Sequence, residues 1–185
     1  MSTSERPHEY ALLRWIDLES TKIDERLISI LTDFELGDLH NKKAKIIKTN
    51  LKNPKVLLCS FFAEWCPNCH YDAITIQKLF SNYEAMGLKI VLTMDYSSKE
   101  KSLLFVKKYE LKMPIAFGEL GEKNEEKRNH TQFYQFRKAL GDTRGWGAPF
   151  HIIIKNGNQN NVGIIMGEID ENQIMCFLKE ALRSD

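Results

Sequence analysis

The stretch Pro54–Asp72 constrains the fold of this chain more than any other part of it. It begins with the continuous apolar run Val56–Ala63, which is typical of a strand buried on both faces, and it continues as an amphipathic segment after Cys66 and Cys69. The first thiol would therefore lie at a helix N-terminus, where unpaired N–H groups and the positive end of the helix dipole favour a thiolate. The second thiol follows one turn later, close enough to form a small disulfide ring. This layout predicts reversible dithiol chemistry.

Length and composition limit the classes of protein that fit. The chain has 185 residues, which is enough for one sizeable domain. Its composition of 43% hydrophobic and 28% charged residues argues against disorder. With a net charge of +1, we expect neither nucleic acid nor an acidic membrane as a partner. The N-terminus lacks the apolar core of a signal peptide, so we expect a cytoplasmic protein, or a periplasmic one if a leader or anchor has been removed. Composition says nothing about the oligomeric state.

The first 33 residues are expected to lie outside the main domain. Residues 9–32 carry apolar side chains at helical spacing, which predicts an N-terminal helical extension over residues 1–33. A short hairpin or a pair of edge segments is expected within residues 34–51. The main domain is predicted to cover residues 34–185.

The main domain alternates strand and helix patterns and then changes to a hairpin. The strands that alternate with helices predict parallel βαβ units, whereas the late hairpin predicts an antiparallel edge. We therefore expect one α/β domain with a central mixed sheet. The predicted strands are 56–63, 88–95, 113–117, 150–155 and 162–166. Ser97–Glu100 has the spacing of a capping box that opens the helix after the second strand, and the last helix follows a cap at Asp170.

Two separate segments resemble the landmarks of thioredoxin-like proteins. Phe61–Cys69 resembles their active-site signature, and Gly147–Pro149 followed by the apolar strand Phe150–Lys155 resembles their second landmark, a proline in cis. The additional helix and strand at 97–117 and the leading segment 34–39 are similar to the TlpA-like, peroxiredoxin-related branch. The resemblance implies a thioredoxin-like α/β/α fold of three layers.

The resemblance also implies roles for individual residues. Cys66 would be the attacking nucleophile and Cys69 the resolving thiol, while the backbone at Ala148 would pair with an extended peptide. The residues expected to bind substrate are Trp65, Pro67, Ala148 and Pro149. Trp146, close to Pro149 in sequence, is a further candidate for the wall of the substrate groove, and Asn68 between the cysteines offers an N–H that would lower the Cys66 pKa.

One position departs from the thioredoxin pattern. Thioredoxins carry a buried aspartate on the strand that leads into the motif, where this chain has Ser60, and a serine cannot relay a proton at neutral pH. TlpA-like proteins often have an acid three residues after the second cysteine, where this chain has Asp72. We expect Asp72 to be the general acid/base for Cys69; the alternative is an ordinary surface residue of the helix.

The other cysteines and the histidines are expected to be structural. Cys59 and Cys176 lie singly in apolar patterns, so we expect small core residues and no zinc site of four ligands. His70 is expected to face solvent, and His151 to support the fold. We predict neither a metal nor a cofactor.

The sequence thus predicts a thiol–disulfide oxidoreductase that reduces protein disulfides through Cys66-Pro-Asn-Cys69. Its partners would be a disulfide-containing protein substrate and a reductase or thiol electron donor. One alternative is a thiolate carrier of copper that uses both cysteines and a histidine, although no Met-rich or further Cys/His cluster accompanies them. A thiol peroxidase is less well supported, because the Thr-x-x-Cys pattern of that branch is absent.

Overall fold

The computed structural model describes residues 10–21, 23, 54–119 and 124–183, together with the backbone of residues 36–37. Within them, seven strands form one sheet in the order β1-β7-β6-β3-β4-β5-β2. The strands are β1 Arg14–Asp17, β2 Leu36–Gly37, β3 Val56–Phe62, β4 Leu88–Met94, β5 Ile115–Phe117, β6 Phe150–Lys155 and β7 Asn158–Ile165. The helices are α1 Pro67–Tyr83, which runs into a 3-10 turn at Glu84–Met86, α2 Lys99–Lys108, α3 Glu125–Arg128, α4 Gln132–Ala139 and α5 Glu171–Arg183.

The sheet is mixed, as the sequence predicts. Strands β3, β4 and β5 are parallel neighbours, as crossover helices require, whereas β6 runs antiparallel to β3 and forms a hairpin with β7. The α/β class is confirmed. No helix in the described ranges is long and apolar enough to cross a bilayer.

Strand β3 lies at the centre of the sheet and is buried along its whole length. Alternate side chains point to opposite faces, so Leu58 and Phe62 join one apolar cluster while Leu57 and Phe61 join the other. Helices α1, α2 and α5 cover the first face and α4 covers the second. The β3–α1 junction is therefore held rigidly between two cores.

The predicted N-terminal helix is wrong where the structure describes it. Arg14–Asp17 is an edge strand that pairs antiparallel with β7, Trp15 lying opposite Gly163. The absent side chain at Gly163 makes room there, since a Cβ would come within 2.9 Å of Leu13 Cδ1. Backbone pairing to the open edge of β7 outweighs a helical pattern of apolar residues, because local propensity is a weak determinant beside tertiary contact.

Other predictions about the first 53 residues are only partly covered. Residues 1–9, 22, 24–35 and 38–53 lie outside the described residues, and with them most of the hairpin predicted over 34–51. The described pair Leu36–Gly37 runs antiparallel to β5. Because β1 belongs to the same sheet as the other strands, no separate extension is seen in residues 10–21, and the boundary at residue 33 stays a prediction.

Helix caps agree with the sequence in one case and differ by a residue in another. Asp170 Oδ1 accepts hydrogen bonds from the Asn172 and Gln173 N–H groups at the start of α5, as predicted. The cap of α2 is Ser98, whose Oγ accepts from the Lys101 N–H, rather than Ser97.

Candidate active site

The motif residues occupy the junction of β3 and α1. Cys66 is the N-cap residue of α1, in extended conformation, and Pro67 follows at the first helical position, where its missing N–H costs no hydrogen bond. The Cys66 residue is 7% exposed and Cys69 is 0% exposed. Cys69 is therefore shielded from solvent, whereas a small part of Cys66 remains accessible to an incoming disulfide.

The pKa values of the two thiols are shifted in opposite directions. The Cys66 pKa is lowered to about 7, and the largest cause is the hydrogen bond from the Cys69 thiol. Burial acts in the opposite direction and raises this pKa. The N–H groups of Cys69 and Asn68 and the charge of Arg144 lower it further. Burial, followed by contact with Cys66, raises the Cys69 pKa well above its ordinary value. Cys66 is thus the thiol that ionises near neutral pH, and Cys69 is the thiol that needs a base.

The loop before β6 completes the site from a distant part of the sequence. The Ala148–Pro149 peptide bond is cis, as predicted. The Cys66 Sγ lies 3.4 Å from the Ala148 carbonyl oxygen, to which the thiol can donate a hydrogen bond. The structure brings Cys66 and Ala148 into contact. Pro149, which follows Ala148 in the sequence, is buried, and Pro67 is exposed on the helix.

A buried ion-pair network holds this loop, and the sequence analysis missed it. The Arg137 and Arg144 guanidinium groups each donate to Asp142 Oδ2 over 2.8 Å. Arg144 also donates to the carbonyl oxygens of Gly147 (3.1 Å) and Pro149 (3.0 Å). Burial raises the Asp142 pKa, but the hydrogen bonds from Arg144 and Arg137 outweigh it and leave that pKa below its ordinary value. A signal was present in the sequence: Arg137 lies on the apolar stripe of α4.

Two tryptophans stand beside the motif. The ring centroids of Trp65 and Trp146 are 5.0 Å apart in an edge-on arrangement, and the Trp65 indole N–H donates to the Tyr96 carbonyl oxygen. The Arg128 guanidinium carbon lies 4.0 Å from the Trp146 ring centroid. Arg128 is a buried residue, and its guanidinium group lies against Trp146.

Asp72 is a buried residue, so the surface alternative for it is wrong. Its Oδ1 accepts from the Ile169 N–H over 3.0 Å, and its Oδ2 lies 2.9 Å from His151 Nε2. His151 Nδ1 in turn lies 2.9 Å from Ser60 Oγ. Both deviations noted in the sequence, Ser60 and Asp72, are therefore joined through one histidine whose part in the site the sequence did not reveal.

The predictions for the remaining cysteines and for His70 are confirmed in one case and contradicted in the others. Cys59 is buried in the core as predicted, but Cys176 is exposed on α5, so the core prediction for it is wrong. His70 is partly buried and bonded through Nδ1 to the Tyr109 hydroxyl (2.7 Å), rather than facing solvent freely. Burial, followed by the charge of Lys108, lowers its pKa. Across the described residues, no three His, Cys, Asp or Glu side chains are grouped to hold a metal ion.

The family model described as "AhpC/TSA family" matches residues 29–129. This chain belongs to that family. It is similar to the thiol-disulfide oxidoreductase ResA of a Bacillus cereus strain, with 32% identity over 85 residues, which are 45% of this chain and 47% of the relative. ResA of Bacillus thuringiensis subsp. konkukian is 30% identical over 91 residues, 49% of this chain and 50% of the relative. The chain thus spans about half the length of the curated relatives it matches.

Solved structures support the thioredoxin-like fold. The thioredoxin-related protein of Neisseria meningitidis serogroup B aligns with a TM-score of 0.56 and 20% identity over 81% of this chain and 100% of that one. A secreted Mycobacterium tuberculosis disulfide oxidoreductase, homologous to E. coli DsbE, aligns with a TM-score of 0.54 and 13% identity over 85% of this chain and 99% of that one. The thioredoxin-like fold is confirmed, and the TlpA-like branch stays a prediction.

Proposed function

We propose that the chain is a thiol–disulfide oxidoreductase whose redox centre is Cys66-Pro-Asn-Cys69. The observation that carries this proposal is the placement of the two thiols, since Cys66 is the N-cap residue of α1 and the fully buried Cys69 lies one turn later. The shifts of their pKa values, downward to about 7 for Cys66 and upward for Cys69, agree with that placement. The names of the ResA relatives agree with it, although they are matched over only half their length.

The first step is attack on a substrate disulfide. The Cys66 thiolate forms a bond to one substrate sulfur, the substrate S–S bond breaks, and the departing sulfur leaves as a thiolate that takes a proton from water. The cis-proline loop supports this step, because Ala148 offers backbone groups beside the Cys66 sulfur for an extended peptide. Trp65, Pro67 and Pro149 are proposed to contact the same peptide.

The second step releases the substrate. Cys69 gives its proton to Asp72, one turn later on the same helix, and its thiolate attacks the Cys66 sulfur. The Cys66–Cys69 disulfide forms, the bond to the substrate breaks, and the second substrate sulfur leaves as a thiolate. The pair ends oxidised by two electrons and the substrate ends reduced by two. A reductase or thiol donor then returns the pair to the dithiol.

We propose the reducing direction for this pair. A nucleophilic cysteine with a pKa of about 7 is typical of thioredoxin, whereas a strongly oxidising pair such as that of DsbA stabilises its thiolate far more, with a pKa of about 3.5.

Reduction of insulin disulfides with dithiothreitol as electron donor tests the proposal. We expect turnover by the wild type and loss to background in Cys66→Ser. Cys59→Ser, which changes a buried thiol outside the motif, is the matched control and should keep the activity. Turnover that survives in Cys66→Ser would overturn the proposal. Stoichiometric binding of Cu(I) by a wild type without disulfide turnover would support the carrier function instead.

A further inference from the structure

Three buried polar side chains form a continuous hydrogen-bonded chain that ends at Asp72, three residues after Cys69 on α1. Ser60 from β3, His151 from β6 and Asp72 from α1 are each 0% exposed. The Ser60 Oγ–His151 Nδ1 and His151 Nε2–Asp72 Oδ2 distances are both 2.9 Å. These elements are distant in sequence, so the hydrogen-bonded chain exists only in the folded protein.

When Asp72 is ionised and His151 is neutral, the donors and acceptors of this hydrogen-bonded chain are compatible with one arrangement. A carboxylate only accepts hydrogen bonds, so His151 Nε2 must carry the proton and donate to Oδ2. In the neutral imidazole, Nδ1 is then an acceptor, and the Ser60 hydroxyl can donate to it. An aspartate at position 60 would supply no such donor in its ionised form. The serine that departs from the thioredoxin pattern therefore supplies a donor for the neutral imidazole, which an ionised aspartate could not do.

Burial makes these hydrogen bonds decisive for the charge on Asp72. An unpaired carboxylate removed from water is so unfavourable that the group takes up a proton instead. Two donors oppose this, the Ile169 N–H at Oδ1 and His151 Nε2–H at Oδ2, and hydrogen bonds to an ionised group are about twice as strong as neutral ones. The other titratable groups near this site are Cys69 on α1, and Glu168 and Asp170 on either side of Ile169; β3 contributes the uncharged Ser60.

We propose that His151 is a positioning residue that keeps the buried Asp72 ionised, and so able to accept the Cys69 proton, while Ser60 fixes the required tautomer of the imidazole. This inference rests on the proposed oxidoreductase function, because it gives Asp72 the role of base. It assigns a purpose to a histidine and a serine that lie outside the motif.

The test follows Asp72 directly by infrared difference spectroscopy of the full-length reduced protein at neutral pH. In each background, the carbonyl band of a protonated Asp72 is identified as the part of the signal that is lost when Asp72→Asn is added to that same background. We expect no such band in the wild type, a band in His151→Leu, and none in His151→Gln, whose amide N–H can take the place of Nε2–H. Absence of the band in a folded His151→Leu, or its presence in the wild type, would overturn the inference.

A kinetic measurement then links the charge to the chemistry. With Ellman's reagent, the first release of thionitrobenzoate reports attack by Cys66 and the second reports attack by Cys69 on the mixed disulfide. In His151→Leu we expect an unchanged first phase and a second phase slower by about tenfold or more at neutral pH, recovering at higher pH as Asp72 ionises. In Asp72→Asn the second phase should also be slow, but it should not recover at higher pH through ionisation of residue 72. In His151→Gln the rate of the second phase should stay within about threefold of the wild-type rate.

The outcomes separate this inference from the proposed function. A wild type that shows no second release contradicts the oxidoreductase proposal, whereas the infrared result still decides the charge state of Asp72. Equal second phases in the wild type and His151→Leu would overturn the role of His151 while leaving the oxidoreductase intact. The role of His151 is equally overturned if the slowing by His151→Leu and by Asp72→Asn multiplies fully in the double variant, because the two residues would then act independently.

Discussion

The two sides of Cys66 are stabilised in different ways. On the thiol side, formed by Cys69, Asp72 and His151, a buried thiol is followed three residues later on α1 by a buried carboxyl group, and the hydrogen bonds of that carboxyl group come from an imidazole and a backbone N–H. On the loop side, Asp142 lies between two guanidinium groups. The thiol side therefore contains groups that can exchange a proton, whereas the guanidinium groups of the loop side stay charged at any physiological pH.

This difference matches the demands of the proposed reaction. The resolving step requires a proton to leave Cys69, so the thiol side must contain a group that can take it up. The loop side must hold the backbone at Ala148 in place and supply positive charge, and the Arg144 charge contributes to the lowered Cys66 pKa. Changes on the loop side should thus affect stability and Cys66 acidity, and changes on the thiol side should affect the resolving step.

The largest expected effect comes from Gly147→Ala on the loop side. Gly147 has φ +68°, and a Cβ there would lie 1.8 Å from Arg137 Nη1, which belongs to a fully buried side chain. Accommodating the methyl group would displace Arg137 from Asp142, and breaking a buried ion pair costs about 3–5 kcal/mol. We expect the free energy of unfolding, measured with urea, to fall by about that amount.

The control for this variant is Gly145→Ala in the same loop. A Cβ at Gly145 meets no atom within 4 Å. We therefore expect a change of less than about 1 kcal/mol at that position. Equal losses in the two variants would show that the ion-pair network does not determine the stability of the loop.

The next effect concerns the acidity of Cys69 on the thiol side. The negative charge of Asp72 is one of the causes that raise the Cys69 pKa, after burial and contact with Cys66. Asp72→Asn should lower that pKa, so that in a Cys66→Ser background Cys69 is alkylated at lower pH than in the parent. Asp170→Asn removes a carboxylate next to Ile169 but outside the hydrogen-bonded chain, and should leave the profile nearly unchanged. Superimposable profiles for Asp72→Asn and its parent would remove Asp72 from the resolving step.

The smallest effect is expected for Arg144→Gln. The Arg144 charge is the last of the causes that lower the Cys66 pKa, and the side chain is 33% exposed, so water screens it. The pKa should rise slightly above about 7, and alkylation of Cys66 at neutral pH should slow by about two- to threefold, with the difference vanishing above about pH 9. Lys138→Gln, which removes a cation that donates to the Arg144 carbonyl oxygen, should change the rate less. A larger effect of Lys138→Gln would contradict the assignment of Arg144.

Some of this site could be predicted from the sequence because its signals are local. Cys66, Cys69 and Pro149 each lie in a short motif whose strand context is visible in neighbouring residues, and the central strands are continuous apolar runs. The partners of Asp72 and Asp142 could not be predicted in the same way. His151 is 79 residues from Asp72, and only the antiparallel pairing of β6 with β3 brings His151 opposite Ser60.

The prediction for Arg14–Asp17 failed for a related reason. Its apolar residues are compatible with a helix, and the decisive partner, the edge of β7, lies far away in the sequence, near the other end of the chain. Exposed Cys176 is a milder case, because an apolar residue on an amphipathic helix can lie at the margin of its buried face.

Trapping of the mixed disulfide tests the central claim most directly. Each variant, Cys69→Ser and Cys66→Ser, is mixed with a peptide that contains a single disulfide and is analysed by intact-mass spectrometry without reductant. We predict that Cys69→Ser accumulates a covalent adduct through Cys66, since the attacking thiol is present and the resolving thiol is absent, and that Cys66→Ser forms none. An adduct on Cys69 in Cys66→Ser that forms as fast as the adduct on Cys66 in Cys69→Ser would contradict the assignment of Cys66 as the nucleophile.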